Sequence, residues 1–133
     1  MLLPEEVLAP DNPAMRYVIA ALIGLFGGVA SGLFGVGGGI VMVPGMTLLL
    51  KTDIKLAVGT SLAVIVPTAL VAMLKHTQLR QVDWTLALLI APAAIVGGFI
   101  GPWLTTKLAS PELQRLFGGF LVLVGLRLLF LPR

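Results

Sequence analysis

Residues 17–50 read YVIAALIGLFGGVASGLFGVGGGIVMVPGMTLLL and contain no charged residue over 34 positions. As one α-helix this run would be about 51 Å long, whereas the hydrocarbon core of a membrane is about 30 Å thick. The run must therefore break. The cluster Gly35-Val36-Gly37-Gly38-Gly39 marks the place, because four glycines in five positions strongly disfavour a helix. We expect one membrane segment over 17–34 and a second over 40–50, which is short enough to be re-entrant.

The composition of the whole chain agrees with a membrane location. Hydrophobic residues make up 58% of the 133 residues and charged residues 11%, with a mean hydropathy of +1.06. A soluble domain usually carries about 25% charged residues, so these values argue against a free soluble enzyme and predict an integral membrane protein. The nine Lys and Arg residues are scattered singly, which gives no reason to expect a nucleic-acid partner. Without cysteine these residues offer no disulfide or thiolate chemistry.

The rest of the chain divides into further apolar segments. They run over 56–74, 84–106 and 113–131. Residues 1–15 are polar, and we expect a short arm or interfacial helix there, ahead of a single transmembrane domain over 16–133. The predicted fold class is all-α, an integral membrane bundle of four to five segments, depending on whether 40–50 crosses. Positive charges are nearly balanced between the two sides in either case. A fixed orientation and dual insertion therefore both stay open.

The glycine cluster suggests a binding site for an anion. At membrane depth, irregular backbone persists only when it is buried in protein or lines a cavity. An unwound stretch over Gly35, Gly37, Gly38 and Gly39 would expose amide N–H groups beside the positive end of the next helix, which attracts anions without a charged side chain. The alternative is a kink required only for packing. Ser31 lies one turn earlier and could face the same cavity or pack.

Two further features lie near the starts of the segments that follow the glycine cluster. Gly59-Thr60-Ser61 offers two hydroxyls at what we expect to be the start of a helix, although an ordinary N-cap would look the same. Pro44 lies early in the segment over 40–50, where we expect its missing N–H to cost least.

The single histidine of the chain lies in its most polar interior loop. His76 could couple transport to protons, and together with Lys75 and Arg80 it could attract anions to a cavity mouth. The alternative is that these residues are interfacial side chains that set the topology.

The remaining chemistry is sparse, and it narrows the possible functions. The apolar runs up to residue 106 hold no acidic or basic side chain, which leaves no carboxylate pair for acid–base work and no second histidine for a metal. We therefore expect no catalytic residue, metal or cofactor. A small multidrug-type cation exporter should carry a buried carboxylate, and none is found within a span. A non-transporting scaffold would explain the stripes of small residues but not the glycine cluster.

Several motifs resemble the sulfite exporter TauE/SafE family. Gly32-Leu33-Phe34-Gly35-Val36-Gly37-Gly38-Gly39 followed by Val43-Pro44 is similar to its first signature, and Ala57-Val58-Gly59-Thr60-Ser61-Leu62 to its second. The resemblance covers about residues 16–131. It also includes His76, Val82-Asp83-Trp84, Gly97-Gly98-Phe99-Ile100-Gly101 and Leu116-Phe117-Gly118-Gly119.

The resemblance implies a transporter of a small anion in the inner membrane of a bacterium or archaeon. Family members move small sulfur-containing or organic anions such as sulfite or sulfonates. They usually have two tandem halves, whereas this chain carries one glycine motif, which implies half of a duplicated fold completed in the bilayer by a homodimer. The binding roles that it implies fall on Gly35, Gly37, Gly38, Gly39, Pro44, Gly59, Thr60 and Ser61.

Overall fold

The computed structural model describes residues 12–130, which form five α-helices and contain no strand. The all-helical prediction is confirmed. Most of the expected N-terminal arm lies outside the described residues. The helices are α1 (Pro13–Phe34), α2 (Gly39–Leu49), α3 (Ile54–Gln78), α4 (Trp84–Thr105) and α5 (Ser110–Phe130).

Three of the helices, α1, α3 and α5, begin earlier than the uncharged runs indicated. α1 begins at Pro13 instead of residue 17, because proline suits the first helical position and the Asn12 side chain accepts the Ala14 N–H at 3.0 Å. α5 begins at Ser110, three residues ahead of the apolar segment over 113–131, with a Glu112 carboxylate oxygen accepting the Ala109 N–H at 2.9 Å. An uncharged run alone misses such first turns, because charged side chains are compatible with the start of a helix.

The acidic side chains of the described residues all lie at helix starts. Asp53 accepts the Lys55 N–H at 2.9 Å and so begins α3 at residue 54 instead of 56. Asp83 accepts the Leu86 N–H at 3.0 Å at the start of α4. Together with Glu112 in the first turn of α5, these residues satisfy amides that have no partner inside a helix. Within 12–130, no carboxylate therefore lies in the interior of an apolar helix.

Four of the five helices are long and apolar enough to cross a membrane, which makes the chain a multi-pass integral membrane protein. They are α1, α3, α4 and α5. The exception is α2, whose 11 residues span about 17 Å. That is roughly half of a hydrocarbon core about 30 Å thick, so α2 cannot cross alone.

Residues 12–80 form one compact unit, in which α1, α2 and α3 pack against one another. α2 is antiparallel to α1, since Gly38 at its start lies against Gly27, and Gly45 later in α2 lies against Ile23. It is also antiparallel to α3, because a short turn joins them and Gly39 lies beside Ser61. α1 and α3 therefore run parallel, and the chain returns between them through the glycine break and α2.

This arrangement decides how the charges of the first unit are distributed. Arg16 and Lys51 lie towards one end of the unit, and Lys75 and Arg80 towards the other. A re-entrant segment over 40–50 would place Lys51 at the end opposite to Arg16, and this arrangement is not observed. Because α2 is only half as long as α1 and α3, it packs against one half of their length. In the other half, α1 and α3 are the only helices of the unit.

Residues from Gln81 onward form the second unit, α4 and α5. Neither helix has a buried residue. The Lys107 ammonium lies 5.6 Å from the centre of the Trp103 ring at the end of α4, an amphipathic pairing suited to a membrane interface. The apolar side chains of this unit need lipid or protein to cover them.

Candidate functional site

The predicted break is present between α1 and α2, and its backbone is left-handed at three glycines. The φ angles are +67° at Gly35, +71° at Gly37 and +74° at Gly38. Gly35 ends α1 by donating its N–H to the Ser31 carbonyl at 3.0 Å, and Gly38 is the N-cap of α2. Residues with a side chain rarely adopt such angles, which explains why the sequence is so rich in glycine here.

Three successive amides of the break are left without a backbone partner. Val41 and Met42 both donate to the Gly38 carbonyl, at 3.0 and 2.9 Å, so the hydrogen bonds of α2 start there. The N–H groups of Val36, Gly37 and Gly38 donate to no backbone carbonyl of residues 12–130. Such amides at the positive end of a helix favour a bound anion. The break therefore has the backbone chemistry that the anion hypothesis requires.

The break lies at the middle of α3. A Cβ atom placed on Gly37 would lie 3.0 Å from the Ile65 side chain, and one on Gly39 would lie 3.5 Å from it. Ile65 is the twelfth of the 25 residues of α3, so these glycines lie about halfway along a helix that spans the membrane. The open amides are therefore at the depth where transporters of broken-helix design bind their substrates.

Ser61 is the polar side chain that α3 brings to the break. Its Oγ lies 3.9 Å from a Cβ placed on Gly39, and the residue is 3% exposed. The hydroxyl donates to the Val58 carbonyl at 2.8 Å in its own helix. Rotation about the C–O bond would let it donate to a ligand instead, since a hydroxyl hydrogen turns to suit its acceptor.

The expected helix start at Gly59-Thr60-Ser61 is wrong. Asp53 caps α3 and the helix begins at Ile54, so Gly59 is already its sixth residue. Gly59 and Thr60 are exposed, and a Cβ on Gly59 would meet open space. A helix interior offers no free amides, so this motif contributes the Ser61 hydroxyl and no second anion-attracting helix end.

Pro44 is also placed differently from the expectation. It is the sixth residue of α2, beyond the first turn, so its missing N–H leaves the Ile40 carbonyl without its usual partner. The Thr47 hydroxyl donates to the Val43 and Pro44 carbonyls, at 3.0 and 3.1 Å. Pro44 has no N–H to offer an anion, and its effect on the site is through the shape of α2.

Close packing explains some glycines of the break and not others. A Cβ on Gly38 would overlap the carbonyl oxygen of Gly27, and one on Gly27 would lie 2.5 Å from the Met42 side chain. Here α1 and α2 touch through their backbones, as small residues allow in membranes. Gly35 has open space around its Cβ position. Ser31, 3% exposed, is buried in α1 one turn before the break.

The three basic candidates separate into two groups. His76 and Lys75 line a groove of about 580 Å³ between the C-terminal halves of α1 and α3, and His76 Nε2 lies 2.9 Å from the Gly32 carbonyl oxygen. Arg80 lies past the end of α3 with a left-handed φ of +56° and is exposed. It is not among the groove residues. The sequence offered no signal for the Gly32 contact.

No group of three or more His, Cys, Asp or Glu side chains within 12–130 could hold a metal ion. The candidate site therefore consists of backbone amides at the break, the Ser61 hydroxyl and an apolar groove with a basic end.

Comparison with known proteins gives a consistent family match. The family model "Sulfite exporter TauE/SafE" matches residues 1–128. The probable membrane transporter protein YunE of Bacillus subtilis is 34% identical over 112 residues, which cover 84% of this chain and 40% of the relative. A probable membrane transporter protein of Xylella fastidiosa is 31% identical over 106 residues, 78% of this chain and 41% of the relative.

A third relative comes from Methanocaldococcus jannaschii. The probable membrane transporter protein MJ0441 of Methanocaldococcus jannaschii is 28% identical over 107 residues, 76% of this chain and 40% of the relative. The chain thus spans about two fifths of the length of these curated relatives. No solved structure matches the chain.

Proposed function

Because this chain belongs to the sulfite exporter TauE/SafE family, we propose that it carries a small sulfur-containing anion across the membrane as a homodimer, by alternating access. Sulfite, thiosulfate or an organosulfonate are the candidate substrates. One observation carries the proposal. The amides of Val36, Gly37 and Gly38 have no backbone partner among the described residues, and the buried Ser61 hydroxyl lies beside Gly39 at the end of the same break. A tetrahedral or pyramidal oxyanion can accept several such N–H and O–H bonds at once.

The distribution of charge supports an anion over a cation as the substrate. The carboxylates of the described residues each accept a backbone N–H at a helix start. They belong to Asp53, Asp83 and Glu112. A cation exporter would need a carboxylate within the span. Lys75 at the groove end adds positive charge on the route to the break. We propose transport without covalent chemistry, since the apolar runs up to residue 106 offer no carboxylate pair for acid–base work.

The single glycine break and the uncovered apolar side chains of the second unit support the proposed homodimer. The chain spans about two fifths of its relatives' length and contributes one glycine break. The helices α4 and α5 bury no side chain. A second copy would supply a second break and cover part of the exposed apolar area, as closed symmetric association does in other oligomers.

Flux into proteoliposomes that contain only this chain tests the substrate class. The panel would be sulfite, thiosulfate, a sulfonate, sulfate, acetate and a lipophilic cation. We expect saturable uptake of one or more of the sulfur anions and none of the cation. Uptake of the cation alone, or no flux from a folded protein, would contradict the proposal.

The same vesicles test the homodimer when the protein-to-lipid ratio is varied. For a dimer, flux per chain should fall as the protein is diluted into lipid, because the active species dissociates. Flux per chain that stays constant down to less than one chain per vesicle would show that a single copy is sufficient.

A further inference from the structure

The C-terminal end of α1 is held by a side chain from α3. The last turn of a helix leaves carbonyls without intrahelical partners. The Gly35 N–H donates to the Ser31 carbonyl. The next carbonyl along the chain, that of Gly32, has its oxygen 2.9 Å from His76 Nε2. With the hydrogen on Nε2, His76 donates this bond across 44 positions of sequence. His76 thus caps α1 from another helix.

The bond lies beside the groove between the same two helices. The groove of about 580 Å³ is lined by Gly28 and Gly32 on α1, and by Pro67, Thr68, Val71, Ala72, Lys75 and His76 on α3. α2 packs along the N-terminal half of α3, from Ile65 towards Ser61, whereas the groove lies along the C-terminal half of α3. The C-terminal halves of α1 and α3 therefore have no third helix of their unit between them. The groove is the space that the half-length α2 leaves.

The hydrogen bonds of α3 are interrupted between the break and the bond. Pro67 follows Ile65 by two residues and lacks the N–H that would bond to the Ala63 carbonyl, and such a missing bond is a usual cause of helix bending. The Thr68 hydroxyl donates to the Val64 and Ile65 carbonyls, both at 3.0 Å, and threonine bonds of this kind also favour bending. α3 is therefore weakest as a rigid rod at Pro67.

We infer that residues 68–78 of α3 form a gate, hinged at Pro67 and held closed on α1 by the bond between His76 and the Gly32 carbonyl. Release of the bond opens the groove towards the glycine break from one side of the membrane. The inference rests on the proposed transport function, for which it supplies one of the two access routes. Both the neutral Nε2–H tautomer and the imidazolium can donate this bond, so His76 acts here as a positioning residue through its geometry.

Cysteine labelling tests the gate without knowledge of the substrate. The chain has no cysteine, so an Ala72→Cys variant carries one thiol in the groove lining. We expect His76→Leu, which removes the donor, to speed labelling by a membrane-impermeant thiol reagent about three- to tenfold, the population shift that one lost hydrogen bond gives. His76→Gln restores a donor and should return labelling towards the original rate.

The neighbouring Lys75 provides a matched control. Lys75 lines the same groove, but its ammonium makes no hydrogen bond among the described residues. Lys75→Gln removes its charge and should leave the labelling rate within about twofold of the parent. Equal labelling of the parent and His76→Leu proteins, both folded, would overturn the gate. So would an increase in His76→Leu that His76→Gln reproduces in full.

Cross-linking separates the gate from the proposed function. A Cβ on Gly32 meets open space, so Gly32→Cys combined with His76→Cys can be bridged by a short, cleavable thiol cross-linker. We expect bridging to stop sulfur-anion flux and cleavage to restore it. Unchanged flux in the bridged protein would overturn the gate while leaving transport established. Gated labelling of Ala72→Cys in a protein that moves no anion would support the gate and count against the transport proposal.

Discussion

Gly38→Ala is expected to abolish transport and to lower the stability of the first unit by about 2–5 kcal/mol. Two costs add at this position. The residue has a left-handed φ of +74°, and a methyl group would overlap the carbonyl of Gly27 in α1. Backbone cannot move aside as a flexible side chain can, so α1 and α2 must separate. The break would then lose the position that puts its amides at mid-depth.

Gly35→Ala is the matched control for this variant. Its φ of +67° is equally left-handed, but a methyl group there meets open space. We expect a cost of about 1–2 kcal/mol and retained transport. Thermal unfolding in detergent and flux in vesicles measure both effects. Equal losses in the two variants would show that the contact with Gly27 is unimportant. Valine at position 38 would confound packing with anion binding, because it meets the same carbonyl.

Ser61→Ala is expected to raise the KM for the transported anion about tenfold or more, since hydrogen bonds to charged groups are worth about 1.5–3 kcal/mol. Ser61 is buried and its Oγ lies 3.9 Å from the Gly39 Cβ position at the break. Its hydroxyl bonds only to its own helix at Val58, and alanine is a good helix former. Folding should therefore be little changed.

Thr60→Ala removes a hydroxyl from the adjacent, exposed position. The proposed site predicts that its KM stays within about twofold of the parent, well below the tenfold step that a lost charged hydrogen bond produces. Flux against substrate concentration separates KM from the maximal rate. If Thr60→Ala weakened binding as much as Ser61→Ala, the helix face assigned to the site would be the wrong one.

The location of the break could be predicted because its cause is local. An uncharged run of 34 residues is too long for one span, and four glycines mark where it must end. The helix starts were missed by up to four residues because caps such as Asn12 and Asp53 extend a helix past the uncharged run. The same reason misplaced Gly59-Thr60-Ser61 at a helix start.

Contacts between distant parts of the chain could not be predicted. The bond between His76 and Gly32 depends on α1 and α3 running parallel, and this follows from a half-helix that returns between them. Residue type also does not distinguish Gly38, which packs against a carbonyl, from Gly35, which faces open space. Local propensity determines where the helices form, whereas packing determines which glycines contact another helix and which face open space.

The most direct test of the central claim is an amide chemical-shift titration of the ¹⁵N-labelled protein with sulfite, thiosulfate and a sulfonate. If the break binds the anion, the amide signals of Val36, Gly37 and Gly38 should shift with a saturable dependence on concentration. The amide of Gly35, already bonded to Ser31, should shift less. Acetate and a lipophilic cation serve as comparisons. Saturable transport of a sulfur anion with no shift of these three amides would contradict the account.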